Sequence, residues 1–282
     1  MKRILSFSVF IMTTVFVFTA CHKIDVPVTT QLTPDNFPVS ERQFVQAAGP
    51  TYSAFRGEYA TTFWFMNSIS TDEAVMPARG GNWYDGERYI QLHKHTWNKD
   101  NGFMASAWNW LTSIISNSNQ NLFLVEQAPA SDAKTRGIAE LKMMRAIAYF
   151  WMMDMFGNVP VVTSFGDTVL PTTTARKDVF TFIEKEVKDV IPALSEEVGS
   201  ATYGRPTKHV AHALLAKMYL NAEVYTGTAR YSDALAMCDN IIASGKFAVE
   251  SNYLNMFKLN NGPSIKEFIF AIPYDPAASG GQ

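Results

Sequence analysis

Apolar residues recur at helical spacing along most of the chain from residue 103 onward. Trp108, Leu111, Ile115, Leu122 and Val125 fall roughly on one face of a helix predicted over 103–127. Ser131 and Asp132 cap the next helix, which runs to Phe156 and stops at Gly157 with Pro160 beyond. Its second half, Met143 to Phe156, is apolar on nearly every side except at Arg145 and Asp154. A helix that is apolar all round is buried all round. Arg145 is therefore expected inside the protein and paired with a carboxylate, because an unmatched buried charge costs several kcal/mol.

Further along, Val179, Ile183, Val187, Val190, Ile191 and Leu194 mark an amphipathic helix over 176–195, with Glu184 and Lys188 paired at i,i+4 on its wet side. Helices follow at about 207–225 and 230–244, the second ended by Gly245. A Thr-, Pro- and Gly-rich loop fills 157–175, and Glu267 to Ile272 read as a short strand. Upstream, Ser40 with Gln43 three residues on is a capping-box pattern. It opens a helix that runs to about Arg56 and is interrupted near Gly49-Pro50.

The N-terminus has a different pattern. Lys2-Arg3, an apolar run from Ile4 to Phe18 and the small residues Thr19-Ala20 make a secretory signal peptide over 1–20. The next residue is Cys21. Phe18-Thr19-Ala20-Cys21 resembles a bacterial lipobox, with Phe where Leu is usual, so Cys21 is expected to carry lipid and hold the mature chain at a membrane. Fifteen residues fall short of the ~20 that a membrane span needs. An ordinary signal cut near Ala20, which would leave Cys21 a free thiol, is the competing reading. Residues 21–39 carry Pro27, Pro34 and Pro38 and read as an extended tether to a folded body over 40–282.

Composition narrows the classes. A net charge of −2 and a pI near 6.2 leave no electrostatic footprint for nucleic acid. Hydrophobic content of 47% supports a full core. Beyond Cys21 the only cysteine is Cys238, in the helical apolar run Ala234 to Cys238, where a buried inert thiol is expected. With Cys21 lipidated, no intramolecular disulfide forms and packing alone holds the fold.

Catalytic motifs are missing: there is no H-E-x-x-H, no G-x-S-x-G and no phosphate-binding glycine loop. His93 and His95 would share a face on a strand, but no Cys or third His lies near them, which favours hydrogen-bonding histidines over metal ligands. Asp72-Glu73 is a carboxylate pair, but adjacent residues cannot flank a glycosidic bond from opposite sides. A cap or a salt-bridged turn suits them better. The stretch Arg79-Gly80-Gly81-Asn82-Trp83-Tyr84-Asp85-Gly86 stands apart. Its glycines let backbone approach a ligand. Trp83 and Tyr84 offer flat apolar faces with a polar edge, suited to stacking on a sugar ring. Arg79, Asn82 and Asp85 are planar polar groups that can engage vicinal hydroxyls. From the residues alone this glycan platform stands beside a second reading, in which Trp83 packs under its own loop.

Two segments echo one another, Arg145-Ala146-Ile147-Ala148-Tyr149-Phe150 and Leu215-Ala216-Lys217-Met218-Tyr219-Leu220. Their tyrosines lie 70 residues apart, close to twice the ~34-residue period of a tetratricopeptide helix pair.

Taken in order, several stretches resemble the SusD/RagB-like outer-membrane nutrient-binding lipoproteins. They are Gly137 to Ala146 continuing to Asp154-Met155-Phe156-Gly157-Asn158-Val159-Pro160, Gly204-Arg205-Pro206-Thr207 with Ala213 to Leu220, Arg230 to Leu235 with Gly245-Lys246-Phe247, and Glu267 to Pro273. Upstream, Ser70-Thr71-Asp72-Glu73, Arg79 and Trp83-Tyr84-Asp85-Gly86 look like the family's N-terminal signature. The resemblance implies a mostly α fold, a right-handed tetratricopeptide-like superhelix with irregular loops. It implies an outer-membrane lipoprotein that captures oligosaccharides without turning them over, and it favours the glycan-platform reading of Arg79, Asn82, Trp83, Tyr84 and Asp85. The ligand would pass to a TonB-dependent transporter of the SusC-like class. No cofactor is implied. Family members are considerably longer, so the chain reads as an N-terminal portion whose C-terminal half is missing. A lipoprotein scaffold that binds only protein is the alternative, and a glycoside hydrolase is disfavoured because no separated acid/base pair is visible.

Overall fold

The computed structural model describes residues 36–274. The expected signal peptide, Cys21, most of the expected tether and the tail from residue 275 lie outside the described residues.

The fold is mostly helical. Ser40 caps α1 (Glu41–Glu58) through the reciprocal bonds expected of a capping box, its hydroxyl accepting from Gln43 N while the Gln43 side chain accepts from Ser40 N. A π-helical turn (Tyr59–Phe63) leads into the short α2 (Trp64–Ser68), and α3 (Arg88–His93) follows after a long irregular stretch. Then come the two longest helices, α4 (Gly102–Glu126) and α5 (Asp132–Phe156), joined by five residues so that they run back along each other. Next is α6 (Arg176–Val190), ended by a 3₁₀ turn at Ile191–Ala193, then α7 (Lys208–Leu220), α8 (Ala222–Thr226) and α9 (Tyr231–Ala243).

The main core lies where α1, α4, α5 and α6 meet. Leu111 and Ile114 from α4, Met143, Ala146 and Met153 from α5, and Val179, Ile183 and Val187 from α6 are fully enclosed. The all-round burial expected for Met143–Phe156 holds for its first eight residues, Met143 to Phe150. Arg145 is buried and donates to Glu186 of α6, to Asn119 Oδ1 of α4 at 2.6 Å and to the Thr163 carbonyl at 3.1 Å. Three segments are thus fastened to one guanidinium. Tyr149 and Tyr219, the two repeat tyrosines, are both buried. The Tyr149 hydroxyl donates to the Val162 carbonyl at 2.9 Å and accepts from the Val162 amide at 2.7 Å. Burial pushes its pKa up to about 12.

Several expectations need correction. Pro50 does not interrupt α1; the helix continues to Glu58, because Ala47, Ala48, Thr51 and Phe55 on both sides of it are buried against neighbouring helices. Helix 207–225 is two helices, broken at Asn221. Residues 157–175 are a loop clasped by a two-residue antiparallel pair, β1 (Val159–Pro160) with β2 (Thr173–Thr174). Glu267–Ile272 is not a strand: among the described residues no neighbouring edge pairs with it, and the segment bends so that Ile269, Phe270 and Ile272 pack on the main core. That segment presses on Gly204, whose φ is +75° and where a Cβ would sit 3.0 Å from Pro273 Cδ, so both conformation and space demand glycine. Cys238 is exposed rather than buried, since α9 packs on α7 and leaves its other side open. Among the described residues, no helix is long and apolar enough to cross a membrane.

Candidate functional site

The residues singled out in the sequence lie on a lobe with its own small core. Ile69, Tyr89, Leu92 and Phe103 are buried together, with Phe65, Met66, Met76 and Met104 packed around them. From this core rises the segment that holds Arg79 to Gly86.

Arg79 and Asn82 exchange both backbone hydrogen bonds at 3.1 Å across Gly80-Gly81, which makes a two-residue hairpin turn. Gly80 takes the left-handed φ of +63° that such a turn requires. The chain beyond it is strained. Trp83, Asp85 and Glu87 have φ of 59°, 40° and 66°, and His95 nearby has 55°; among the described residues these four are the non-glycine positions with positive φ. Side chains pay of order 1 kcal/mol or more for such conformations, which cluster at ligand clamps and active sites.

The hairpin brings the five candidates together at the surface: Arg79, Asn82, Trp83, Tyr84 and Asp85 are all exposed. Trp83 is 49% exposed and Tyr84 46%. Trp83 rests against the buried ring of Tyr89, with centroids 5.6 Å apart and planes at 69°. The indole is thus braced by Tyr89 while nearly half of its surface stays open. Tyr84 Oη donates to Glu87 Oε1 at 3.3 Å, and the nearby Glu87 charge raises the phenol's pKa. Asp85 is not free: it pairs with Arg88 at 3.4 Å.

The histidines serve the same lobe. His93 Nδ1 meets the Ile69 carbonyl at 3.3 Å and His95 Nε2 meets the Ser70 carbonyl at 2.7 Å, so the two clasp the start of the irregular segment. They lie at and beyond the end of α3, not on a strand. Among the described residues no group of three or more His, Cys, Asp or Glu is placed to hold a metal. Asp72 and Glu73 occupy an exposed turn in which the Glu73 amide donates to Thr71 Oγ1 at 3.1 Å. One aromatic escaped the sequence reading. Trp97, 41% exposed, leans on the His95 ring at 5.3 Å and belongs to the same lobe. A tryptophan in the polar run Thr96-Trp97-Asn98-Lys99-Asp100 was the available signal.

A cavity of about 680 Å³ lies elsewhere, among residues of α1, α5 and the 192–208 segment. Its cations are already matched, Arg136 with Glu41, Arg205 with Glu140 and Lys208 with Glu196. The lining also holds Asp132 and Glu197, which leaves it net negative.

The family model for SusD-like proteins, described as "Starch-binding associating with outer membrane", matches residues 52–220. The starch-binding protein SusD of Bacteroides thetaiotaomicron is 29% identical over 223 residues, covering 78% of this chain and 38% of that protein. The surface glycan-binding protein A of the same species, solved with laminarihexaose, superposes with a TM-score of 0.70 at 21% identity, over 85% of this chain and 53% of that one. A crystal structure with a xylogluco-oligosaccharide superposes with a TM-score of 0.71 at 25% identity, over 83% of this chain and 46% of that one. The chain spans about half, or less, of the length of these relatives. The match runs from inside α1 to the end of α7, taking in both the aromatic hairpin and the helices of the main core, and the chain belongs to the SusD-like family.

Proposed function

We propose that this chain is the oligosaccharide-capturing part of a cell-surface lipoprotein, anchored in the outer membrane through Cys21 and delivering its ligand to a TonB-dependent SusC-like transporter. Binding, without turnover, is the activity. The observation that carries the reading is the exposed hairpin Arg79–Gly86, which presents Trp83 and Tyr84 from a strained and braced backbone. A sugar ring has an apolar face that an indole covers and a rim of hydroxyls that Arg79 and Asn82 reach. Trp97 offers a second open aromatic face on the same lobe. The glycan-bound structures among the relatives support the ligand class.

The test is a glycan array on the full chain, followed by calorimetry on the strongest ligand with Trp83→Ala and Trp97→Ala. Loss of a stacked aromatic costs on the order of 2 kcal/mol, some thirtyfold in affinity. A chain that binds no glycan on the array, or a Trp83→Ala variant with wild-type affinity and melting temperature, would remove Trp83 from the site.

A further inference from the structure

We propose that Arg88 is the positioning residue of this hairpin, a cationic latch that sets the angle of the Trp83 ring. The role of the hairpin in binding rests on the function proposed above; the latch itself is argued from geometry.

Arg88 opens α3, immediately after the strained run Trp83–Glu87. Its guanidinium carbon lies 4.9 Å from the ring centroid of Tyr89 and 4.9 Å from that of Phe103. Arg88 Nη2 also donates to Tyr89 Oη at 2.9 Å and pairs with Asp85 at 3.4 Å. Its Nε is buried and has no hydrogen-bond partner among the described residues. The group is therefore placed by ring faces and one carboxylate rather than by a full set of acceptors. Its backbone is fixed as well, because Asn101, the N-cap of α4, donates from Nδ2 to the Arg88 carbonyl at 3.1 Å.

These contacts close a circuit. Asp85 binds Arg88, Arg88 holds Tyr89, the Tyr89 ring braces Trp83, and two peptide units return from Trp83 to Asp85. The segment inside the circuit is the one with positive φ at Trp83 and Asp85. Without a tie across it, that backbone would relax toward ordinary conformations and carry the indole with it. Arg88, itself part-exposed, supplies the tie through Tyr89 and Asp85 and leaves nearly half of Trp83 open. Lysine cannot replace it: an ammonium has no planar fork to lie beside the Tyr89 and Phe103 rings while reaching both Tyr89 Oη and Asp85.

The experiment labels the full chain with 5-fluorotryptophan and reads the six indoles by ¹⁹F NMR, with Trp83 assigned by Trp83→Phe. Ring current from Tyr89 makes the Trp83 shift a direct report of their angle. Arg88→Lys and Asp85→Asn are each expected to move and narrow the Trp83 signal while the buried Trp110 signal and the melting temperature stay near wild type. An unmoved Trp83 signal in both variants overturns the proposal. So does a general loss of dispersion with a large fall in melting temperature, which would make Arg88 only part of the lobe's core. No sugar is needed for this readout. A latch that passes it in a chain whose Trp83→Ala variant binds glycan normally would stand, and the assignment of Trp83 to the glycan site would fall.

Discussion

Arg145 in the middle of α5 donates from Nε to Glu186 Oε1 at 3.0 Å across the interface with α6, and both side chains are 6% exposed. Burial raises the pKa of Glu186, and the Arg145 charge pulls against that rise. The pair holds α5 to α6, and through Asn119 and the Thr163 carbonyl it also fastens α4 and the 157–175 loop.

Arg145→Met is therefore expected to destabilise the chain by about 3–5 kcal/mol, since it strands a buried carboxylate. Adding Glu186→Leu should recover most of that loss, because the second charge is removed with the first. In the single variant burial, the largest influence on Glu186, is no longer opposed by Arg145, so its folded-state pKa rises further. A raised carboxylate contributes stability at low pH that is lost as pH climbs through the folded pKa. The deficit of Arg145→Met should thus narrow toward acid pH, and denaturant melts at several pH values will show whether it does.

The helices were legible because their signals are local. Ser40 with Gln43, Ser131 with Asp132, and Gly157 mark ends through bonds to neighbours a few residues away. The burial of Arg145 was legible as well, from the apolar residues around it. Its partner was not. Glu186 lies 41 residues on, beside the Glu184–Lys188 pair that periodicity placed on the wet side, of which Lys188 is exposed and Glu184 part-buried. Only the packing of α6 on α5 separates the carboxylate that turns inward from those that do not. The Glu267–Ile272 reading failed for a related reason: a strand requires a partner, and a single segment carries no record of one. At the site, sequence grouped Arg79 to Asp85 because they are contiguous. It missed Arg88 and Tyr89, which hold the hairpin from below, and Trp97, which sits on a different loop of the lobe.

Glu184 is expected to stabilise the α6–α7–α9 corner in a pH-dependent way. It accepts from Lys188 at 2.5 Å, Tyr219 at 2.8 Å and Arg230 at 2.8 Å. Burial pushes its pKa up, but the bonds from Lys188, Tyr219 and Arg230 outweigh that and lower it. A lowered carboxylate contributes stability above its unfolded value that is lost as pH falls through the folded one. Glu184→Gln should cost about 1 kcal/mol at neutral pH, a figure reduced by partial solvent screening. The difference should begin to shrink as pH falls below the ordinary glutamate value of 4.5 and be gone once pH is below the lowered folded value. A difference that does not shrink with falling pH would show that shape rather than charge matters there.

Gly204→Ala should destabilise the chain strongly for a substitution of one methyl group. Its φ of +75° disfavours any side chain, and the new Cβ would stand 3.0 Å from Pro273 Cδ. We expect a loss of about 1–3 kcal/mol, with the 267–273 segment loosened first. Hydrogen exchange would locate the loss, and an unchanged rate at Phe270 and Ile272 would contradict it.

The anchor is tested in cells. With Cys21 acylated, a fatty-acid analogue should label the wild-type chain and leave Cys21→Ala unlabelled and released from the membrane fraction. A variant that stays membrane-bound beside an unlabelled wild type would assign the N-terminus to an ordinary signal peptide.

The last prediction concerns the open side of α9. Leu235 and Ile242, seven residues apart and so on one face of the helix, are 63% and 76% exposed. Leu220 and Val224 at the preceding corner are 63% and 60% exposed, and Tyr231 at the start of α9 is 56% exposed. Large apolar side chains gathered at one end of a helical stack, where among the described residues α9 packs mainly on α7, form a surface that drives association unless something covers it. The isolated chain is therefore expected to self-associate in a concentration-dependent way. Leu235→Lys with Ile242→Glu should return it to monomer without lowering its melting temperature, because neither side chain contributes to the buried core. Sedimentation velocity over a range of concentrations reads both outcomes. A wild-type chain that stays monomeric throughout would show that these residues tolerate water as they stand.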